Sequence, residues 1–390
     1  MIVGVPRESF PGERRVAMVP AVVPSFTKAG LEVVVEAGAG REAGYLDTEY
    51  AAKGAKILPT RAEVFAAADI VVQVLCYGSN DKTGKADVPL YRPNQALIGF
   101  MRPLGSLETI QEIASKGVSA FSIELMPRTT RAQSMDALSS MATISGYKAV
   151  LIAADTLPKL FPMLTTAAGT ITPARVFIIG CGVAGLQAIA TARRLGAVVS
   201  AYDLRPAVKE QVQSLGGRFV EIAVEAKDAQ DARGYATAQG EEFYKKQREL
   251  LGKVVAESDV VVTAAVIPGK KSPILVTKEM VDGMAPGSVV VDLAAERGGN
   301  CELTRAGEKI EEHGVTIIGS INLASTVPYH ASQMYAKNVA TFLLYMIQEG
   351  KLQINPQDEI VRETLLTQGG EIVSVRLREI YKLPALAAKS

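Results

Sequence analysis

Along the first third of the chain, short β-branched and aliphatic runs alternate with stretches of helical period. In order these read IVGV, a segment ending at Gly30, LEVVVEAG, DTEYAAKGA, ADIVVQVL, QALIGFM, LETIQEIASKG and VSAFSIEL. Such alternation predicts βαβ units and a parallel sheet. A long helical pattern containing GYKAVLIAADTL then covers roughly 133–160 and is expected to link two lobes. From Ala174 the alternation restarts with ARVFIIG, GLQAIATARRLG, AVVSAYDL, AVKEQVQSLG and RFVEI, and continues through SDVVVTAAV, SVVVDLA and GVTIIG, which predicts a second doubly wound unit. Residues 223–246 between its halves are polar, have no strand pattern and are long for a connection inside a domain, the mark of a functional or mobile segment. After Asn322, SQMYAKNVATFLLYMIQEG predicts a long helix returning to the first lobe, and the tail from Leu352 holds one or two short strand-like pieces.

The predicted fold is therefore α/β, with two Rossmann-like doubly wound parallel-sheet domains separated by a cleft and joined by long helices. Residues 1–135 with 325–390 form the first lobe, and 136–324 form the second, with a mobile loop near 225–245. A length of 390 residues exceeds what one core usually supports, which agrees with two domains.

Charge and cysteine content narrow the classes. Net charge is +1, from 42 basic and 41 acidic residues without a long run of either sign, so nothing attracts nucleic acid or an anionic membrane. Cys76, Cys181 and Cys301 are odd in number and far apart, which argues against a disulfide framework and for a reducing compartment. With only His313 and His330 beside them, no Cys/His metal site is expected. The start of the chain does not resemble a signal peptide, and no uninterrupted apolar run approaches the ~18 residues of a membrane span.

The sharpest local signal is Gly180-Cys181-Gly182-Val183-Ala184-Gly185, placed after the apolar strand ARVFIIG and at the start of a helix. Gly180 permits the strand-to-helix turn, Gly182 lets backbone N–H groups approach a pyrophosphate, and Gly185 allows close helix–strand packing. The helix N-terminus adds partial positive charge, and the implied ligand is a dinucleotide. A bare tight turn is the alternative. Asp203 ends the next strand 18 residues beyond Gly185, where a carboxylate accepts from ribose hydroxyls and repels a 2′-phosphate. NAD(H) is thus favoured over NADP(H), although Arg205 is of a kind that would serve a phosphate. Residues Ala264, Ala265 and on to Pro268 follow a further strand and are expected to line the ribose or nicotinamide, an ordinary turn at Pro268-Gly269 being the alternative. His313 and His330 receive no role.

The strings FPGERRVA, ELMPRTTRAQSMDALSS, GVAGLQAIATARRLGAVVSAYD, GYATAQGEEF, IPGKKSP and DLAAERGGNCELT together resemble the NAD(H)-binding component of proton-translocating transhydrogenase, over essentially the whole chain. That family shares ancestry and fold with alanine dehydrogenase. Amino acid oxidation needs proton handlers. By the resemblance its carboxylate-binding arginine survives as Arg15, but Gln73 stands at the lysine position, Arg102 at the histidine position and Glu296 at the aspartate position. Hydride transfer between two nicotinamides requires no protein acid or base, only proximity and orientation.

The resemblance implies that Arg128, Gln133, Asp136 and Ser139 orient the reacting groups. Asp136 and Ser139 would share one helical face, Gln133 would bond a carboxamide or ribose hydroxyl, and Arg128 would pair with Asp136 or a pyrophosphate. Taken singly, each also reads as a helix cap or surface group. It further implies that Tyr235, between Gly234 and Gly240, belongs to a mobile loop that closes over the nucleotide. The implied partners are an NADP(H)-binding component and a membrane-spanning component, with homodimerisation and a cytoplasmic location, peripheral to the inner membrane. The competing functions are an alanine dehydrogenase-like amino acid oxidoreductase and a non-catalytic NAD(H)-binding module.

Overall fold

The computed structural model describes residues 1–221, 241–267, 269–384 and 386. The chain divides into two compact units, Met1–Met141 with Ser325–Ser390, and Ala142–Ala324.

The first unit is built on an eight-stranded sheet. Its order is Glu371–Ile372, Leu365–Gln368, Ser119–Ser122, Ala96–Phe100, Ile70–Leu75, Ile2–Val5, Glu32–Glu36 and Lys56–Leu58. The six strands from the N-terminal part pair in parallel, and Leu365–Gln368 joins them antiparallel. Val3, Val5, Ile70, Val71 and Val72 are buried, which explains why those segments read as unbroken apolar runs. The return helix Pro328–Tyr345 begins with proline in its first turn and buries Ala331, Tyr335, Val339, Phe342 and Leu343, a stripe at helical spacing. Its Phe342 meets Phe121 of the sheet edge-on at 5.8 Å.

The second unit carries a seven-stranded sheet in the order Arg218–Phe219, Val198–Tyr202, Arg175–Ile179, Val260–Thr263, Val289–Asp292, Val315–Gly319 and Lys309–Glu312. All pairs are parallel except the last. The chain builds outward from Arg175–Ile179 in one direction, then returns to its other side with Val260–Thr263. The carboxyl ends of these two strands therefore flank a topological switch point, where open α/β sheets bind ligands.

Three segments differ from their sequence pattern. The helix expected over 133–160 runs over Ala137–Thr156 and is preceded by a 3-10 turn at Gln133–Met135. It is long and apolar enough to cross a membrane by length and composition, yet Ala149, Val150 and Ala153 are packed into the core and it carries Lys148 and Asp155. Beyond it, Leu164–Thr166 and Gly169–Ile171 form an exposed antiparallel hairpin. Lys309–Glu312 is an edge strand whose charges, typical of edges, hide it from a periodicity reading.

Candidate functional site

At the switch point the strand Arg175–Ile179 leads directly into the glycine loop. Gly180 has φ +94°, and a side chain there would lie 2.8 Å from the Ala264 carbonyl carbon and the Ala265 nitrogen. A side chain on Gly185 would lie 1.9 Å from the Gly180 carbonyl oxygen, so the helix Val183–Arg194 sits against the turn. Gly182 differs: nothing lies within 4 Å of the position a Cβ would take. It is also the N-cap of this 12-residue helix, with no side-chain cap. The first-turn amides have no intrahelical acceptor and add to the positive end of the helix dipole, with Arg193 and Arg194 complementing the other end. The Gly182 approach, free of side chains, suits an anion such as a pyrophosphate. Val183 and Ala184 occupy this first turn, and the Ala184 carbonyl oxygen lies 2.0 Å from where a Cβ on Gly146 would stand. Gly146 therefore lets the long helix pass close to the loop, a role signalled only by an isolated glycine inside a helical pattern.

Asp203 follows the next strand and is 9% exposed. Its Oδ2 accepts from the Cys181 amide at 2.7 Å and from Arg205 Nη2 at 2.9 Å, and its Oδ1 accepts from the Arg205 amide and Nε, both at 2.9 Å. These four bonds fill the acceptor capacity of a carboxylate. Arg205 thus commits its guanidinium to Asp203 rather than to a phosphate, and ribose hydroxyls reach Asp203 only where Arg205 gives way. That intervening pair is invisible in a reading that assigns Asp203 directly to ribose.

Ala264 and Ala265 leave the strand Val260–Thr263 beside Gly180. Two residues not singled out from the sequence hold them there. Asn300, fully buried, accepts from the Ala265 amide at 3.0 Å and donates to the carbonyls of Ala265 at 2.9 Å and Pro273 at 2.8 Å. Asp292, at the end of its strand, accepts from the amides of Ala294, Asn300 and Cys301 and from the Thr304 hydroxyl. Tyr235 and Pro268 lie outside the described residues.

In the first unit, Arg128 and Gln133 are exposed and Asp136 and Ser139 half-buried. Asp136 and Ser139 do not share a helical face. Asp136 precedes the helix Ala137–Thr156, its Oδ1 accepting from the Ser139 amide at 2.9 Å and its Oδ2 from the Ser139 hydroxyl at 2.5 Å. This is N-cap geometry, which leaves Asp136 outside the helix because its side chain replaces a missing backbone acceptor. The turn bearing Gln133 is tied to the return helix by Asn338, whose amide donates to the Ser134 carbonyl at 2.8 Å.

The residues aligned by resemblance with amino acid chemistry are otherwise engaged. Arg15 is 4% exposed and donates through Nε to Glu13 at 2.7 Å and through Nη2 at 2.5 Å. Gln73 is buried and donates to Asp87 at 3.2 Å. Arg102 is exposed, and Glu296 accepts from the Asn322 amide at 2.8 Å. Nearby, burial and then the Glu13 carboxylate push the Glu8 carboxyl up to about 8, against the lowering effect of its bonds from the Val74 and Leu75 amides.

All three cysteines are buried and unbridged. Burial raises each thiol, Cys301 to about 11. Asp282, Glu312 and His313 bring ligand atoms within 4.8 Å of one another, but Lys278 bonds both carboxylates, making this an exposed ion-pair cluster.

Two family models cover the chain, the alanine dehydrogenase/PNT N-terminal domain over residues 4–145 and the C-terminal domain over 149–375. The first of the two pieces of NAD(P) transhydrogenase subunit alpha in Rhodospirillum rubrum is 45% identical over 96% of this chain and 98% of its own length. The crystal structure of transhydrogenase from Sinorhizobium meliloti matches with a TM-score of 0.85 and 47% identity, covering 96% of this chain and all of that one. Alanine dehydrogenase of Bacillus subtilis is 28% identical over 95% of this chain and 92% of its own length. With a dinucleotide-type loop at the switch point and the amino acid positions otherwise engaged, these similarities place the chain in the alanine dehydrogenase/PNT family, nearer to NAD(P) transhydrogenase alpha subunits than to alanine dehydrogenases.

Proposed function

We propose that this chain is the NAD(H)-binding component of a proton-translocating transhydrogenase. It would act with an NADP(H)-binding component and a membrane-spanning component, as a homodimer on the cytoplasmic side of the inner membrane. The observation that carries the reading is the uncapped, side-chain-free helix start at Gly182, set at the switch point beside Asp203. The similarity to transhydrogenase alpha subunits selects among the activities such a site could serve.

Bound nicotinamides supply the chemistry: a hydride leaves C4 of the reduced ring and arrives at C4 of the oxidised one, with no proton left over for a protein base. The chain's role is binding and orientation. Amides of the Val183–Arg194 first turn hold the pyrophosphate, and Asp203 selects an unphosphorylated ribose once Arg205 gives way. Ala264 and Ala265 wall the nicotinamide side. Gln133 and Arg128 supply polar contacts, and Asp136 with Ser139 fixes the helix start on which that loop depends. Tyr235 covers the nucleotide. The Glu13–Arg15 pairing argues against amino acid oxidation, since the guanidinium that would hold a substrate carboxylate is already neutralised.

The test is hydride transfer from NADH to thio-NADP⁺ by this chain mixed with a purified NADP(H)-binding component. Transfer should require both proteins, and in Gln133→Asn the turnover should fall roughly tenfold or more while NADH affinity is retained, as expected when an orienting contact is lost. NADH binding without transfer would leave a non-catalytic binding module. NAD-dependent oxidation of alanine by the chain alone would sink the reading.

A further inference from the structure

The wall that Ala264 and Ala265 form is irregular backbone, which ordinarily drifts unless its hydrogen bonds are met. Asn300 meets them from the neighbouring turn. Its amide bonds both the N–H and the C=O of Ala265 and also the carbonyl of Pro273, so its oxygen and both of its N–H donors are used in one place. The Asn300 backbone joins in, accepting from the amides of Leu275 and Val276 at 2.8 and 3.0 Å. Asp292 in turn grips the Asn300 amide at 2.7 Å. A side chain on Gly299 would lie 2.8 Å from Asp292 Oδ2, so the turn fits only with that glycine. A fully buried amide with every group satisfied is sensitive to any change of donor or acceptor, because the alternative is an unmet group away from water.

We propose that Asn300 is a positioning residue that sets Ala264 and Ala265 as the nicotinamide-side wall of the nucleotide site, with Asp292 fixing Asn300. It rests on the reading of this unit as the NAD(H) site. The glycine loop and Asp203 grip the adenine half without Asn300, so the two halves of the nucleotide separate the roles.

The experiment measures dissociation constants of NADH and of AMP for the full chain, wild type, Asn300→Leu and Asn300→Asp. NADH binding should weaken about tenfold or more in both variants while AMP binding stays within about twofold. In Asn300→Asp, a protonated carboxyl can restore one donation, so NADH affinity should recover as pH falls from 8 to 5.5 relative to wild type, and Asn300→Leu should show no such recovery. The aspartate variant carries the test should the leucine variant not fold. Unchanged NADH affinity, or parallel weakening of NADH and AMP, overturns the proposal. Wild-type chain that binds neither nucleotide overturns the underlying site reading as well, and does so before any substitution is made.

Discussion

The carboxyl ends of the two sheets hold polar groups of similar kinds but unlike availability. In the first unit Glu13 and Arg15 close on each other, Arg61 reaches Asp87 through Nε and Nη2 at 2.6 Å each, and Glu8 takes the amides of Val74 and Leu75. In the second unit the first turn after Gly182 has no side-chain cap, and the space beside Gly182 is clear. The same sheet architecture thus yields a self-paired polar cluster in one unit and unmet donors in the other. The difference teaches that a site is marked less by buried charge than by backbone donors left without a partner.

The comparison breaks most severely at Arg15. Arg15→Leu leaves the Glu13 carboxylate buried without its cation and should cost about 3–5 kcal/mol of stability, read as a drop in urea midpoint. A loss under about 1 kcal/mol would mean that the pair holds little together.

A smaller effect is expected at Glu8. Its carboxyl stands near 8 in the folded chain against an ordinary 4.5, so the folded state holds this proton more tightly than the unfolded state does. The contribution is whole below pH 4.5, fades as pH rises and is gone above about 8, with a slope of at most roughly 1.4 kcal/mol per pH unit. Urea midpoints should fall over this range in the wild type and less in Glu8→Gln; identical slopes would refute the assignment.

Arg205 tests the open site. Removing its guanidinium in Arg205→Ala frees two acceptor positions on Asp203 for ribose, and NADH should bind about fivefold more tightly, roughly 1 kcal/mol. Weaker NADH binding would show instead that Arg205 contacts the nucleotide.

The sheets are legible in the sequence because buried parallel strands leave runs such as VFII and VVVT, and the glycine loop because its spacing meets a strand on one side and a helix on the other. The hairpin at 164–171 escapes because exposed short strands carry no burial pattern. Spacing alone puts Asp136 on the helix, whereas its short side chain favours capping. The Asp203–Arg205 pair and the grip of Asn300 on Ala265, 35 residues away, depend on distances that no local pattern encodes.

With every native thiol sequestered, sulfhydryl reagents at neutral pH should find almost nothing to attack: at a value near 11, Cys301 is ionised in only about one molecule in ten thousand. The chain is therefore a nearly silent background for thiol labelling. A single cysteine introduced on the exposed hairpin at Thr166 would carry a fluorophore or spin label as its principal tag, so that encounters with other proteins could be followed without first stripping out Cys76, Cys181 and Cys301.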